Sequence, residues 1–268
     1  MSEEGIATAP GNMKIATFNV NSIRARLPIV VDWLGANRPD VLAVQETKVQ
    51  DQDFPGEAFD EIGYRYVFRG QKSYNGVALF SRHPIHDAEF GFDDELKDEP
   101  RLLKASVNGL TIVNTYVPQG FQPDSDKYRY KLQWFARLGA YFRNRFKPTD
   151  PVLWLGDLNV APQAIDVHDP VSLLGHVCFN PQVQEALEAV MAWGFTDLFR
   201  RHCPDPGHYS FWDYRASNAF KQNLGWRIDH LMATETLAQK CTACYIDSQP
   251  RTAARPSDHT PVVADFQW

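Results

Sequence analysis

Polar side chains that can do chemistry stand beside apolar segments of this 268-residue chain, most often at the C-terminal ends of those segments. The apolar segments have the composition of β-strands, and strand ends present polar groups on rigid supports. A single Asp or Asn at such a place is usually a turn residue, and a single His is usually structural. A whole series favours a catalytic site instead. The series comprises Asn19, Asn21, Glu46, Tyr116, Asp157, Asn159, Asp229, Asp258 and His259.

Hydrolysis of a phosphodiester is a reaction that needs such a set of side chains. The phosphate is anionic and repels hydroxide, so its charge must be neutralised. Mg²⁺ prefers oxygen ligands and keeps several waters, so that one or two carboxylates are enough to hold it. Glu46, with Asn21 and Asp258 nearby, is the predicted ligand set. The sequence leaves Mn²⁺ open as a substitute for Mg²⁺.

The other polar residues have predicted roles in moving protons and binding the phosphate. Asp157, positioned by Asn159, is the candidate general base for the attacking water. His259 would donate a hydrogen bond to the phosphoryl oxygens if Asp229 orients and charges its ring. Tyr116 or a metal-bound water would assist the departure of the leaving 3′-oxygen.

Strand-like and helix-like segments alternate along the chain and predict an α/β layered architecture that would position these groups. Residues 14–20 predict a strand, residues 27–37 a helix with a proline in its first turn, and residues 40–45 a second strand. Further strands are predicted at 64–68, 76–81, 102–107, 110–116, 152–155, 226–232 and 262–266, and further helices at 127–146 and 181–193.

Composition and length favour one soluble globular domain. Hydrophobic residues make up 44% and charged residues 22%, and no repeat or linker divides the chain, so we expect a single domain over residues 13–268. Residues 1–12 lack the features of a signal peptide and read as a disordered leader or an expression remnant. No apolar run approaches about 20 residues, so no membrane span is predicted. We expect a monomer in the cytoplasm of a bacterial-type cell, working on nucleoid DNA.

The net charge of −6 argues against a polyanionic partner until its distribution is considered. Residues 1–12 and 93–99 together carry all of it, so the rest of the chain is neutral and can present a basic face. Cys241 and Cys244 have the spacing of a redox or zinc pair, but no second ligand pair accompanies them. The favoured interpretation is that these cysteines are two small residues packed at a strand edge. A disulfide framework is not expected.

Seven stretches, in this order and spacing, form a specific pattern. They are FNVNSIRAR from Phe18, QETK from Gln45, YNGVALFSR from Tyr74, NTYVPQG from Asn114, WLGDLN from Trp154, GWRIDH from Gly225 and SDHTPV from Ser257. From residue 13 to the end, the chain resembles the exonuclease III type of apurinic/apyrimidinic endonuclease, within the endonuclease/exonuclease/phosphatase superfamily.

The resemblance implies a four-layered α/β sandwich, in which two β-sheets pack face to face and are flanked by helices, with the site at one end. It implies Mg²⁺-dependent cleavage of DNA on the 5′ side of an abasic site, together with 3′–5′ exonuclease and 3′-phosphodiesterase activity on duplex DNA. The partner would be double-stranded DNA carrying abasic sites or 3′ ends. Position by position, Glu46 matches the metal-binding glutamate of the family, Tyr116 its tyrosine, and Asp229 with His259 its acid–imidazole pair.

A second group of residues is predicted to bind the substrate. An abasic sugar is small and apolar on one face, so an aromatic pocket accepts it and rejects an intact nucleotide. The alternative is that the aromatic residues of this group are core. The predicted substrate-binding residues are Asn19, Gln119, Phe211, Trp212, Arg215, Trp226 and Ile228. Candidate phosphate contacts, with solvated surface charges as the equal alternative, are Arg24, Arg26, Lys72, Lys127, Arg129, Lys131, Lys221 and Arg227.

Two other functions stay open at this point. A phosphatase or phospholipase of the same superfamily would share the Glu, Asp-x-Asn and Ser-Asp-His elements. The YNGVALFSR and YVPQG stretches look instead like the DNA-repair branch. A catalytically inactive DNA-binding relative is disfavoured because every expected polar position is filled.

Overall fold

The computed structural model describes residues 11–92, 94, 96 and 99–268. In chain order the strands are β1 (Asn12–Asn19), β2 (Val41–Gln45), β3 (Arg65–Arg69), β4 (Val77–Ser81), β5 (His86–Phe90), β6 (Leu102–Val107), β7 (Leu110–Tyr116), β8 (Val152–Asp157), β9 (Phe195–Asp197), β10 (Asp229–Thr234), β11 (Cys241–Ile246) and β12 (Val262–Gln267). The α-helices are α1 (Leu27–Asn37), α2 (Glu57–Asp60), α3 (Asp126–Arg145), α4 (Pro181–Met191), α5 (Leu198–His202) and α6 (Glu235–Ala238).

The strands form two mixed six-stranded sheets. The first has the order β11-β12-β1-β2-β4-β3 and the second the order β5-β6-β7-β8-β10-β9. One buried apolar cluster joins the facing sides of the two sheets, a second packs the first sheet against α1, and a third packs the second sheet against α3 and α4. This is the α/β sandwich with helices on both outer faces, as predicted.

Strand direction brings the polar strand ends to one end of the sandwich. β1 and β2 run parallel, with Asn19 opposite Gln45, so that Glu46 follows directly beside Asn19. β7 and β8 also run parallel, with Tyr116 opposite Asp157. β10 is antiparallel to β8 and starts where β8 ends, which places Asp229 opposite Asp157. The two parallel pairs therefore deliver their C-terminal residues to the same edge.

Local sequence explains the helices that flank the sheets. α1 begins with Pro28 in its first turn and ends before Arg38, which has a left-handed backbone (φ 46°), so the predicted bounds are the observed ones. The Ser125 side chain caps α3 by accepting a hydrogen bond from the backbone N–H of Tyr128. Asp126 lies in the first turn of α3 and Arg145 in its last, as the helix dipole favours.

Three strands were not predicted: β5, β9 and β11. β5 carries charged residues, β9 has only three residues, and β11 is an edge strand with partly exposed positions, so that none shows an apolar run. The predicted strand at 226–232 begins only at Asp229. Of the predicted leader, residues 1–10 lie outside the described residues, as do four positions of the acidic segment 93–99. Asn12 belongs to β1 rather than to a leader, because it pairs with Gln267.

The four cysteines are free. Cys241 and Cys244 are buried on the edge strand β11, and burial raises the pKa of the Cys241 thiol to about 11. Such thiols are inert side chains that pack against their neighbours, as the sequence favoured. Among the helices that the structure describes, none is long and apolar enough to cross a membrane.

Candidate active site

Asn19 joins the two sheets at the centre of the site. Its Nδ2 donates one hydrogen bond to Glu46 Oε1 and one to Asp157 Oδ2, both of 2.8 Å, and its Oδ1 accepts from the backbone N–H of Asn21. The side chain is fully buried. The prediction that Asn19 contacts substrate is therefore wrong, because both of its N–H donors hold carboxylates in place.

His259 lies between two buried carboxylates. Its Nδ1 is 2.8 Å from Asp229 Oδ2, and its Nε2 is 3.8 Å from Asp157 Oδ2. Burial alone would lower the pKa of His259, but the Asp229 and Asp157 carboxylates raise it to about 10. Burial also raises the pKa of Asp157, against the effect of the His259 charge. At neutral pH the imidazole is therefore a cation with two N–H donors.

The loop after β8 fixes the Asp157 carboxylate through its own backbone. Gly156 has φ 137°, and a Cβ there would lie 1.9 Å from the carbonyl oxygen of Thr115, so only glycine fits. Asn159, with a left-handed φ of 51°, turns its backbone N–H to Asp157 Oδ1 at 2.9 Å. Its side-chain Nδ2 donates to the carbonyl of Val117 at 3.0 Å. The Gly-Asp-x-Asn sequence is therefore a rigid turn that aims a carboxylate.

Glu46 lies beside a cation of the protein itself. The Lys48 ammonium is 2.7 Å from Glu46 Oε2 and donates to Asn21 Oδ1 at 2.5 Å. Burial would raise the pKa of Glu46, but Lys48 and the hydrogen bond from Asn19 outweigh burial and lower it. The Glu46 carboxylate is therefore ionised.

The oxygen atoms at this place suit a hard divalent cation. Among the described residues, Glu46, Asp157 and His259 have candidate ligand atoms within 4.8 Å of one another. A charged imidazole has no lone pair for a metal, which leaves the two carboxylates. Of the predicted ligands, Asp258 is not part of this group, and Asn21 donates its Nδ2 to Asp258 Oδ1 at 3.0 Å.

Tyr116 lies between the carboxylates and an arginine. Burial first, and then the charges of Glu46 and Asp157, raise its pKa well above the usual value. The Arg101 guanidinium lies 4.7 Å from the centre of the Tyr116 ring, and this cation opposes the rise. At neutral pH the phenol keeps its proton and acts as a donor.

A cavity of about 440 Å³ opens beside these groups. The structure places the apolar residues Phe211, Trp226 and Ile228 in its wall, as predicted. The full lining is Glu46, Tyr116, Gln119, Phe121, Asp157, Asn159, His176, Cys178, Phe211, Asp213, Arg215, Trp226, Ile228, Asp258 and His259. The lining thus combines ionic groups with aromatic rings, and the Phe211 ring lies 4.8 Å from the ring of His259.

Residues 16–259 match the model of the Endonuclease/Exonuclease/phosphatase family. The chain belongs to that family. An exodeoxyribonuclease III from Haemophilus influenzae is 31% identical to this chain. The match covers 95% of this chain and 100% of the relative. The solved structure of an AP endonuclease from Archaeoglobus fulgidus is 49% identical with a TM-score of 0.94. The match covers 96% of this chain and all of the Archaeoglobus chain. A 3′ phosphatase from Neisseria, bound to a product DNA hairpin, is 36% identical with a TM-score of 0.90 and the same coverage. The predicted family, sandwich fold and nuclease class are confirmed.

Two predicted contact residues point away from the cavity: Trp212, predicted at the pocket, and Arg227, predicted to contact DNA. Phe211 and Trp226 pair through reciprocal backbone hydrogen bonds of 2.9 Å, and both rings face the cavity. In extended backbone the next residue points to the opposite side. Trp212 therefore packs in a separate buried cluster with Tyr209, where Arg251 lies 5.7 Å from its ring. The predicted pocket role of Trp212 is wrong.

Arg227 follows Trp226 and is turned inward by the same alternation. It is fully buried, and its guanidinium pairs with Asp166 at 2.6 Å and Asp197 at 2.8 Å. Nδ1 of His230 accepts a hydrogen bond of 2.9 Å from the Arg227 guanidinium. Burial and the Arg227 charge lower the pKa of His230 to about 4, so this imidazole is neutral. A phosphate contact by Arg227 is therefore excluded.

Other predicted contacts lie at the rim of the cavity. Arg215 is exposed and forms a bidentate pair with Asp213. Gln119 Oε1 accepts a hydrogen bond of 2.7 Å from the backbone N–H of Phe121, so it holds a turn at the rim. Arg26, a candidate DNA contact, instead donates to the Asn21 carbonyl at 2.8 Å.

No pattern in the sequence predicts a role for His176. Its ring lies 4.7 Å from that of Trp226 and lines the same cavity. Burial, Lys131 and Arg215 lower its pKa, which keeps this imidazole neutral. His176 lies in a loop without periodicity, so only tertiary folding brings it to Trp226.

Proposed function

We propose that the enzyme is a Mg²⁺-dependent DNA repair nuclease that cuts the phosphodiester on the 5′ side of an abasic site. The same site would remove nucleotides and blocking groups from the 3′ ends of duplex DNA. One observation carries the proposal: a cationic His259, held by Asp229, lines the cavity beside an aromatic side chain, the Phe211 ring, whose centre lies 4.8 Å from that of the imidazole. A phosphate bound at the cation leaves its sugar against the rings.

The lining of the cavity offers both kinds of contact that this substrate needs. Phe211, Trp226 and Ile228 offer a surface for a sugar that has lost its base. A charged imidazole at Nε2 offers a donor to a phosphoryl oxygen in a place where water is excluded. We also propose that the protein acts as a monomer and that its partner is double-stranded DNA.

Asp157 would accept the proton of the attacking water. Its raised pKa makes it a stronger base than an exposed carboxylate. Asn159 holds one of its oxygens, and Asn19 holds the other. Tyr116 keeps its proton and can give a hydrogen bond to the phosphate or to the leaving oxygen.

Glu46 would hold the divalent cation, and Asp157 would stay free of it to act as the base. The Lys48 ammonium, lying between Glu46 and Asn21 oxygens, indicates that this place suits positive charge. When bound, Mg²⁺ would neutralise phosphate charge and lower the pKa of a bound water.

Activity at 3′ ends rests on relatives. The Neisseria 3′ phosphatase and a 3′–5′ exonuclease from Neisseria meningitidis, which is 37% identical with a TM-score of 0.91, act there by their descriptions. A phosphatase or phospholipase with a soluble or lipid substrate is the alternative. The aromatic wall argues against a highly hydroxylated inositol phosphate, because a polyol needs polar partners.

One duplex oligonucleotide carrying an abasic analogue tests the proposal, beside the same duplex with a recessed intact 3′ end and with a 3′-phosphate. We expect nicking at the analogue, release at the 3′ ends, loss of both with EDTA, and loss in His259→Ala with an unchanged far-UV spectrum. Inositol phosphates serve as the control and should be untouched. Hydrolysis of inositol phosphates with intact DNA would overturn the proposal.

A further inference from the structure

Lys131, on the buried side of α3, is a fully buried cation that the proposed reaction does not use. The sequence allowed it a DNA contact or a solvated position, and the structure shows neither. Its Nζ donates to three backbone carbonyls, those of Gln119 at 3.1 Å, Asn159 at 2.7 Å and Val177 at 2.7 Å, and a longer contact of 3.9 Å reaches Cys178 Sγ. Among the described residues it forms no salt bridge with a carboxylate.

The three carbonyls match the donors of the protonated side chain. An ammonium group has three N–H donors, whereas a neutral amine has two and a lone pair that would face the third carbonyl. Burial lowers the pKa of Lys131, and Cys178 and then Asp157 act in the opposite direction. The arrangement therefore stabilises a buried ammonium by aligned carbonyl dipoles rather than by an ion pair.

Each carbonyl belongs to a different wall of the cavity. Gln119 lies in the loop after β7, Asn159 in the loop after β8, and Val177 in the loop before α4. Gln119 and Asn159 line the cavity themselves, and Val177 is flanked by the lining residues His176 and Cys178. One ammonium group thus ties together three loops that are far apart in sequence.

The Asn159 peptide connects Lys131 to the proposed base. Its carbonyl accepts from Lys131, and its own N–H donates to Asp157 Oδ1 at 2.9 Å. The left-handed backbone of Asn159 sends these two groups to their partners. A shift of the carbonyl would therefore be passed to the carboxylate that receives the water proton.

We propose that Lys131 is a positioning residue whose ammonium fixes the Asn159 turn, and through it the Asp157 carboxylate. The proposal rests on the proposed hydrolysis for the role of Asp157. It differs from a purely structural role, in which the aliphatic stem of Lys131 fills space and the charge does nothing.

Lys131→Met separates the two roles, because it keeps an unbranched apolar stem and removes the ammonium. Lys147→Met, on an exposed lysine in the turn after α3, is the matched control. Misplacement of a reacting group by about 1 Å can cost about 100-fold in rate, so we expect kcat of Lys131→Met to fall by about 10- to 100-fold. KM should change by less than about threefold, because the substrate-binding walls remain.

A second test restores the ammonium from solution. In Lys131→Ala, n-propylammonium replaces the four missing heavy atoms from Cγ to Nζ. We expect it to raise both the melting temperature and kcat of this variant, and to leave wild type and Lys147→Ala unchanged. Tetramethylammonium chloride at equal concentration has no N–H donor and should do neither.

The outcomes decide between the roles. Wild-type kcat in Lys131→Met overturns the proposal, and so does a rise in melting temperature with n-propylammonium that leaves kcat low. If Lys131→Ala folds only with n-propylammonium, two measurements still distinguish the roles. They are whether kcat recovers in step with folding, and the kcat of Lys131→Met. Rates are measured on the duplex that wild type cleaves. If wild type cleaves no duplex, the function proposed above fails by itself, whereas the melting-temperature response still reports on the ammonium site.

Discussion

Replacing Asp229 by Asn tests the central electrostatic claim about the site. The change keeps shape and removes the carboxylate that lies 2.8 Å from His259 Nδ1. Asp229 is the largest cause raising the pKa of His259 to about 10, whereas burial lowers it. Without the carboxylate, the pKa of His259 should fall to about its ordinary value of 6.5 or below.

The size of the effect follows from the fraction of charged imidazole. With a pKa of about 10, His259 is more than about 99% protonated at pH 7.5, and with a pKa of 6.5 or below it is at most about 10% protonated. Loss of charge thus costs about tenfold in rate at a pKa of 6.5, and about tenfold more for each further unit by which the pKa falls. The limit is the roughly 100- to 1000-fold that loss of a donor to a developing charge costs, so we expect a fall of about 10- to 1000-fold at pH 7.5.

The pH dependence gives the sign of the effect. A raised pKa means that the charged form persists as pH rises from about 6.5 towards 10, and the variant loses this range. Single-turnover cleavage of the abasic duplex, measured from pH 5.5 to 8.5 at saturating Mg²⁺, should give a ratio of wild-type to variant rate that grows with pH. A melting temperature close to that of wild type serves as the folding control.

A rate for Asp229→Asn within threefold of wild type at pH 7.5, or a ratio that does not change with pH, would refute the reasoning. A proton NMR titration of His259 in the metal-free protein provides an independent check. The Cε1 proton should titrate near or below pH 6.5 in the variant and show no midpoint below about pH 9 in wild type.

Three further predictions concern the metal, the buried ions and the glycine turn. Glu46→Gln should raise the Mg²⁺ concentration for half-maximal activity by at least about tenfold, since a hard cation loses a charged ligand; an unchanged Mg²⁺ titration would remove Glu46 from the site. Arg227→Met should lower the free energy of unfolding in urea by about 3–5 kcal/mol because Asp197 is left buried without its partner, and a loss under 1 kcal/mol would contradict this. Gly156→Ala should cost roughly 2–5 kcal/mol and most of kcat, because its Cβ meets the Thr115 carbonyl at 1.9 Å; melting curves and single-turnover rates check it, and wild-type values would contradict it.

Alternation along extended backbone predicts which side chains face the pocket. Residues 226–232 are predicted as a strand, and with Trp226 and Ile228 in the pocket a period of two turns Arg227 away from it. The same reasoning separates Phe211 from Trp212, and the two segments pair through Phe211 and Trp226. For Phe211 and Trp212 the sequence holds no evidence of extended backbone, since no apolar run marks them.

Buried polar residues were the least predictable part of the site. Asn19, Lys131 and Arg227 are each fully buried. Their residue types favour the surface, and only a tertiary arrangement of partners can offset the cost of burial. For Lys131 those partners are backbone carbonyls from three loops, which carry no side-chain signature.

By itself the sequence determined the bounds of α1, β6 and β7, the family, and the groups that carry chemistry, because apolar periodicity and motif order are local properties of the chain. The tertiary structure alone decided which of those groups meet. Parallel pairing of β1 with β2 and of β7 with β8 brings strand ends to one edge, and the packing of the two sheets places Asn19 between Glu46 and Asp157. The charge on His259 belongs to that arrangement too, since it depends on carboxylates that lie 30 and 102 positions away in sequence but within 4 Å in space.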